Sequence, residues 1–408
     1  MNGIFAIEKP TGITSNQFMM KLQHLLTNSQ VFSKEIQRAT TERIQQYQKE
    51  TGKKASKRKL RKVSKVKMGH GGTLDPLASG VLVIGIGTGT KQLANYLSGT
   101  VKVYETEALF GVSTTSGDVE GDILSQNSVK HINIENLKTI PEKFIGSLKQ
   151  TPPIYAALKM NGKPLHEYAR EGKPLPRAIE PRQVNIYDLV IYPDSCSKNH
   201  NYDFLRKPTD ELTEVTIKDL NANMLKDSLY FSKEFCEKYN KESELADVEP
   251  AIELSEEERA MIENDANYRA PLLHFKAKVS SGTYIRSLIS DIGKAMRSSS
   301  YMVKLIRLQQ QDWSLEKGNV FKMSDFTEND ELVWSRVLEL VLKEGASVNI
   351  ADATAKIKIE VAKELEEQAQ LARKNALETD TIAQTTTVTD DKLNLEQLTS
   401  NKRSIDEV

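Results

Sequence analysis

The chain has 408 residues, of which 38% are hydrophobic, 27% charged and 6% aromatic, with 56 basic side chains balancing 56 acidic ones. That length holds one large domain or two modest ones; a mean hydropathy of -0.47, with no apolar run near the about 18 residues of a helical span, excludes an integral membrane protein. The two cysteines, Cys196 and Cys236, have no Cys or His at metal-ligand spacing, which excludes a disulfide scaffold and a zinc site and points to a reducing compartment.

The first residues lack the basic and apolar regions of a secretory signal and the Arg-rich make-up of a transit peptide, so no cleavable address is expected. Residues 3–8 read as a strand. Residues 14–26 read as a helix capped by Thr14 or Ser15, with Phe18, Met19, Leu22, Leu25 and Leu26 as its apolar stripe. Charge then becomes uneven: up to Lys67 there are 15 basic residues against 4 acidic ones, and 53–67 holds nine basic residues without an acid, glycine or proline. Three roles that do not exclude one another suit this block. It can neutralise phosphates, form a solvated insertion, or serve nuclear import through Lys57-Arg58-Lys59-Leu60-Arg61-Lys62.

Beyond the basic block, strands are expected at 81–86 and 101–110 and a helix at 132–144. Residues 193–267 are poorly periodic, and 242–265 hold ten acidic residues against Arg259 alone, which reads as a solvated, peripheral acidic insertion. Ordered patterning resumes with a strand at 273–279, a helix at 284–296 and a strand at 301–308. After about residue 345 the chain turns polar; a helix fits 353–375, and the final thirty residues have a disordered composition. Strands and helices intermix without regular alternation, so the fold class is α/β in the α+β sense, a mixed sheet with helices packed on it.

Met68-Gly69-His70-Gly71-Gly72-Thr73-Leu74-Asp75-Pro76-Leu77-Ala78-Ser79-Gly80 is the segment richest in chemistry. Its glycines and Asp75-Pro76 describe an irregular loop before a buried strand. There Asp75 is either a fixed acid or the start of a turn, and His70 either a reactive group or a hydrogen-bonded loop residue. Gly85-Ile86-Gly87-Thr88-Gly89-Thr90-Lys91 departs from both the dinucleotide and the P-loop patterns and reads as a tight strand-to-helix connection. Farther on, 281–293 places Tyr284 and Arg286 at a helix start. Arginine is the residue best suited to hold a loop carboxylate bidentately.

Together with Gly3-Ile4-Phe5-Ala6-Ile7-Glu8-Lys9-Pro10, Gly12-Ile13-Thr14-Ser15, Tyr104 after Val103, and Gly282-Thr283-Tyr284-Ile285-Arg286, these segments resemble one family, the TruB-type tRNA pseudouridine synthases, and its fungal members in particular. The resemblance covers about 1–27, 68–192 and 268–325. It implies the pseudouridine synthase fold, a mixed and largely antiparallel sheet with flanking helices, as one catalytic domain over 1–345. Insertions at about 28–67 and 193–267 and a polar, largely disordered tail over 346–408 complete that expected organisation. Bacterial members carry a C-terminal PUA domain; the low-complexity tail stands in its place, so no PUA domain is expected.

The resemblance further implies isomerisation of the T-loop uridine of tRNA, position 55, to pseudouridine by a stand-alone, monomeric enzyme. No cofactor, metal, membrane or obligate protein partner is expected, and messenger RNA uridines in T-loop-like contexts are a further substrate class. Asp75 becomes the catalytic carboxylate, with Arg286 its partner. Tyr104 stacks on the flipped base, Tyr284 and Leu305 wall the uracil pocket, and His70 fills the space the base leaves. Lys9, Pro10 and Arg307 support the loop, and Lys57, Arg58, Lys59, Arg61 and Lys62 contact the RNA backbone. Nucleus and cytoplasm follow from the basic block, and a mitochondrial pool from the family. The rival readings are a non-catalytic RNA-binding or tRNA-folding protein on the same scaffold, another RNA-modifying enzyme such as a methyltransferase, and a guide-RNA-dependent synthase.

Overall fold

The computed structural model describes residues 1–156, 158–171, 175–206 and 228–401, the side chains of 166, 169, 170 and 376–401 excepted. Its strands are β1 (Gly3–Lys9), β2 (Met68–His70), β3 (Ser79–Ile86), β4 (Lys102–Phe110), β5 (Val112–Thr114), β6 (Ile123–Gln126), β7 (Gly146–Gln150), β8 (Lys159–Met160), β9 (Lys163–Pro164), β10 (Arg182–Ile191), β11 (Leu272–Val279), β12 (Ser300–Gln310) and β13 (Trp313–Ser314). Nine of them form one sheet in the order β1-β3-β12-β4-β11-β10-β7, with β2 added beside β3 and β13 beside β12. Only β3 and β12 run parallel among the described pairs. Side chains alternate faces along a strand, so β4 gives Tyr104, Ala108 and Phe110 to one apolar cluster and Leu109 to another. The first cluster carries the site.

At the N-terminal edge, β1 is a nearly continuous apolar strand buried on both sides. Helix α1 (Ser15–Asn28) begins with a capping box: the Gln17 amide donates to Thr14 Oγ1 at 3.1 Å while Thr14 N–H donates to Gln17 Oε1 at 3.2 Å. Phe18, Leu22 and Leu26, spaced four apart, are its buried stripe, and Met19 and Leu25 flank it half-buried. Gly89 lies against β1 so closely that a Cβ there would fall 1.9 Å from Gly3 O. That approach accounts for the glycines after β3, which join it to the 3-10 turn Gly87–Leu93.

The basic insertion is largely helical. Helix α2 (Gln30–Thr51) ends at the left-handed Gly52, and α3 (Lys57–Val63) starts from Ser56, whose hydroxyl accepts from Lys59 N–H at 3.2 Å. Buried Phe32, Val63 and Val66 fasten this hairpin to the domain. The acidic insertion departs from the peripheral reading. Phe204, Leu254 and Ile262 pack with Leu109, Tyr268, Leu272 and Tyr301, while Leu229, Phe231 and Cys236 join the other cluster. It covers the sheet with a few apolar anchors spaced too widely to show as a period; 207–227 lie outside the described residues.

Two further expectations change. The single helix at 132–144 is two, Ile134–Lys138 and Ile140–Phe144, because Pro141 near the start of the second cannot donate to the preceding turn. The tail is helical over Ile350–Asn401, and Ile350, Ala353, Ile357 and Val361 are buried in one cluster with Val337, Leu338 and Val341 of the helix Glu331–Glu344. A boundary at 345 therefore cuts through a packed unit; up to residue 375 the polar side chains lie on the exposed faces of this helix, and 402–408 lie outside the described residues. No helix among the described residues is long and apolar enough to cross a membrane.

Candidate active site

The loop between β2 and β3 is fixed on both sides of Asp75 by the turn that follows β1. Leu74 N–H donates to Ser15 Oγ at 2.8 Å, and that hydroxyl donates back to Leu74 O at 2.9 Å. Gly12 N–H reaches Pro76 O at 2.8 Å, and Thr11 Oγ1 reaches Leu77 O at 2.6 Å. Beneath them lies Lys9, fully buried, its ammonium donating to the carbonyls of Pro10 (2.8 Å), Ile13 (2.6 Å) and Pro76 (3.4 Å). Burial pushes this ammonium down to about 8, against the pull of Asp75 and with the repulsion of Arg307. Lys9 thus reaches the loop through the carbonyl of Pro76, and Pro10 contributes a carbonyl to the same ammonium.

Arg286 enters from the first turn of the helix Ile285–Ala295. Its Nε donates to Asp75 Oδ2 at 2.8 Å and its Nη2 to Oδ1 at 3.3 Å, a bidentate clamp. The same guanidinium donates to Ser116 O at 2.6 Å and Tyr155 O at 2.9 Å. It is 5% exposed, whereas the Asp75 side chain keeps 35% of its surface accessible. One partner is locked in the protein and the other faces out. The helix start is itself anchored, since Tyr284 N–H donates to Gln150 Oε1 at 2.8 Å and Ser287 Oγ to Thr151 O at 2.8 Å. Burial raises the Tyr284 hydroxyl, keeping it neutral and able to donate.

The sheet supplies the wall. Tyr104 on β4 stands opposite Ala277 on β11 and Arg307 on β12, and Leu305 stands opposite Thr106. Tyr104, Leu305, Leu74 and Ile285 belong to one buried cluster around the loop. Arg307, 1% exposed, donates through Nε to Val81 O at 2.7 Å and through Nη2 to Gly72 O at 3.2 Å. Sequence reasoning missed its neighbour Gln310, fully buried, whose Nε2 donates to Gly71 O at 2.6 Å and Tyr96 O at 3.0 Å. Nothing in its local pattern separates it from a surface glutamine. The half-buried His70 sits at the end of β2, its imidazole pushed down by burial and by Arg307.

The basic residues stand apart from this cluster. Arg58, Lys59, Arg61 and Lys62 line a groove of about 610 Å³ with Gln23, Arg43, Lys65, Lys67 and Met68. Arg43 ties its floor together by donating to Val63 O at 2.7 Å and Lys65 O at 3.3 Å. Lys57 opens α3 beside it. Strand β2 runs from the groove at Met68 to His70, so a strand of three residues links the two regions.

A carboxylate held in a glycine-rich loop by a buried guanidinium, with an aromatic wall beside it, suits addition to or proton removal from an electrophilic sugar or base. A model of the TruB family pseudouridylate synthase N-terminal domain matches residues 57–204. Over 368 residues the chain is 74% identical to the Saccharomyces cerevisiae protein tRNA pseudouridine synthase 4, covering 90% of this chain and 91% of that one. It is 34% identical over 351 residues to the Schizosaccharomyces pombe protein of the same name, covering 80% and 82%. A chain of a solved Cbf5-Nop10-Gar1 complex aligns over 86% of this chain and 59% of its own, with a TM-score of 0.40 and 16% identity. Identity of this extent, spanning the Asp75 loop and the Arg286 helix alike, makes the chain a member of the TruB family of pseudouridylate synthases.

Proposed function

We propose that the chain is a stand-alone tRNA pseudouridine synthase that isomerises the T-loop uridine at position 55, with Asp75 as the reacting carboxylate. The observation that carries this reading is the Asp75–Arg286 clamp, bidentate and closed from behind by two backbone carbonyls. In the reaction the C1'–N1 bond breaks and a C1'–C5 bond forms; the C5 proton leaves and N1 gains one, so no atom is added and no redox partner is consumed. Arg286 aims the carboxylate through its two hydrogen bonds, one to each oxygen. Its bonds to Ser116 O and Tyr155 O hold the guanidinium still while the carboxylate acts.

Tyr104 offers its ring to the extruded uracil and its hydroxyl to proton traffic at the base, while Tyr284 and Leu305 close the pocket. His70 props the place the base vacates. The α3 groove takes phosphates of the T arm or the acceptor side. Messenger RNA uridines in a T-loop-like context present the same surface, and a monomer without a protein partner suffices for it. The relatives' names, both tRNA pseudouridine synthases, support the substrate class. The basic run of α3 supports a nuclear pool beside the cytoplasmic and mitochondrial ones.

The test is tritium release from a C5-labelled tRNA transcript with no cofactor added, beside a transcript lacking the T-loop uridine. Stoichiometric release from the first alone is expected, and Asp75→Asn should bind the transcript without releasing label. Tight binding without release by the wild-type protein would overturn the reading in favour of an RNA-folding role.

A further inference from the structure

Around the Asp75 loop and the sheet face beside it, three buried basic side chains are bonded to acceptors. Lys9 gives its ammonium to three carbonyls, Arg286 to Asp75 and two carbonyls, and Arg307 to Val81 O and Gly72 O. A fourth is Lys102, the first residue of β4, which pairs with Gln310 on β12 and Val279 on β11. Being two residues before Tyr104, it projects to the same face of the sheet. The residue is 9% exposed, and its ammonium, which is not among the fully enclosed unpaired atoms, makes no hydrogen bond or ion pair with a described residue. Arg307 is the charged group that acts on it, and it repels; burial and that repulsion push the Lys102 ammonium down to about 8, so it stays largely charged at neutral pH.

A largely buried lysine with a like charge beside it and no anion among the described residues is costly, and proteins keep such a group where something else completes it. We infer that Lys102 binds the phosphodiester next to the flipped uridine. This rests on the proposed action on RNA. Uracil is neutral and offers only carbonyl acceptors, and Tyr104 and Leu305 already supply its apolar walls. Two cations on one face without a balancing charge call for a full anion, and RNA carries one on each side of every nucleotide. Extruding a nucleotide swings its two phosphates with it, toward the strand from which the base is held. Lys102 and Tyr104 would then grip one nucleotide by its backbone and its base from adjacent inward positions of β4.

The experiment uses the full chain and chemically synthesised T-arm stem-loops in which the linkage 5' or 3' of the target uridine is a neutral methylphosphonate. Lys102→Met should weaken binding of the all-phosphate RNA about tenfold and lower the slope of log K against log salt by about 0.7 to 0.9, the value for one phosphate. On the RNA whose contacted linkage is neutral, wild type and Lys102→Met should bind alike, and Lys102→Arg should restore most of the affinity on the all-phosphate RNA. Equal losses on the phosphate and on both methylphosphonate RNAs, or an unchanged salt slope, would overturn the inference and leave Lys102 a contact to the base or a strut of the sheet. If Lys102→Met does not fold, Lys102→Gln is measured on the same RNAs against the same criteria. Wild-type tritium release on the all-phosphate stem-loop is measured in parallel, so failure of the catalytic reading is distinguishable from failure of this one.

Discussion

Replacing Arg286 with lysine keeps the charge opposite Asp75 but removes the fork. The guanidinium makes four bonds: Nε and Nη2 to the two carboxylate oxygens, Nη1 to Ser116 O and Nη2 to Tyr155 O. A lysine ammonium is a single point at the end of a different stem, and it cannot face the carboxylate and two carbonyls in those directions. At least two of the four bonds are lost. A neutral hydrogen bond is worth about 1 kcal/mol and one to a charged group about 1.5 to 3 kcal/mol. Because Asp75 is 35% exposed, water replaces part of the loss, and a figure of about 2 to 3 kcal/mol is reasonable. If that loss falls on the transition state, single-turnover tritium release slows roughly 30- to 160-fold at 1.36 kcal/mol per decade. Enzyme in excess over labelled tRNA measures the chemical step, and a filter-binding titration beside it should show affinity within a few-fold of wild type. A rate within about threefold of wild type would refute the claim that the fork, and not the charge alone, aims Asp75.

Other consequences of the geometry are open to measurement. Gly80 has φ +103°, and a Cβ there would lie 2.3 Å from Arg307 O and 2.8 Å from Arg307 N, so Gly80→Ala should cost roughly 2 to 6 kcal/mol from backbone strain and overpacking; an unchanged urea midpoint would exclude so close a crossing. Lys9 is charged below about 8 in the folded chain but below 10.5 when unfolded. Between those values the unfolded chain binds the extra proton, so stability rises with pH, by up to about 1.4 kcal/mol per unit; the stability gap between wild type and Lys9→Met should move in favour of wild type across pH 8 to 10.5, and a flat gap contradicts the depressed ammonium. Replacing Lys57, Arg58, Lys59, Arg61 and Lys62 with glutamine should weaken tRNA binding and flatten its salt dependence while single-turnover chemistry at saturating enzyme survives. An unchanged salt slope would show that the groove does not meet phosphate.

The parts of the fold legible in the sequence are those where one period dominates: β1, β3, β4, β11 and α1 lie within a few residues of the expected ranges. Strand β10 escaped because its ladder with β11 shifts register between Ile186 and Asp188. The bulge moves buried positions from Val184 and Ile186 to Leu189, so the alternation breaks midway. The docked start of the C-terminal helix was hidden by composition, since Ile350, Ala353, Ile357 and Val361 are four buried residues in a polar stretch. In the site, the bond from Arg286 to Asp75 could be anticipated from the chemistry each side chain lacks. The other two acceptors of Arg286 are main-chain carbonyls of Ser116 and Tyr155, and a carbonyl leaves no mark on residue identity. Gln310 is obscure for the same reason, as its partners are the carbonyls of Gly71 and Tyr96. The place of Lys102 beside Arg307 is set by the register of β4 against β12, which its own neighbours in sequence do not encode.

The partners that hold the Asp75 loop lie far from it along the chain. Ser15 precedes Leu74 by 59 positions, Arg286 follows Asp75 by 211 and Arg307 follows Gly72 by 235. During synthesis the loop therefore leaves the ribosome with only its upstream brace, and the carboxylate has no guanidinium to aim it until about seven-tenths of the chain exists. Closing such long loops makes folding slow and its last steps cooperative. A shortened product ending before residue 286 keeps Asp75 and the whole basic α3 groove. If the groove takes phosphate as proposed, such a fragment would hold RNA without the guanidinium that aims Asp75, and loss of the later strands would turn an enzyme into a competitor for its own substrate.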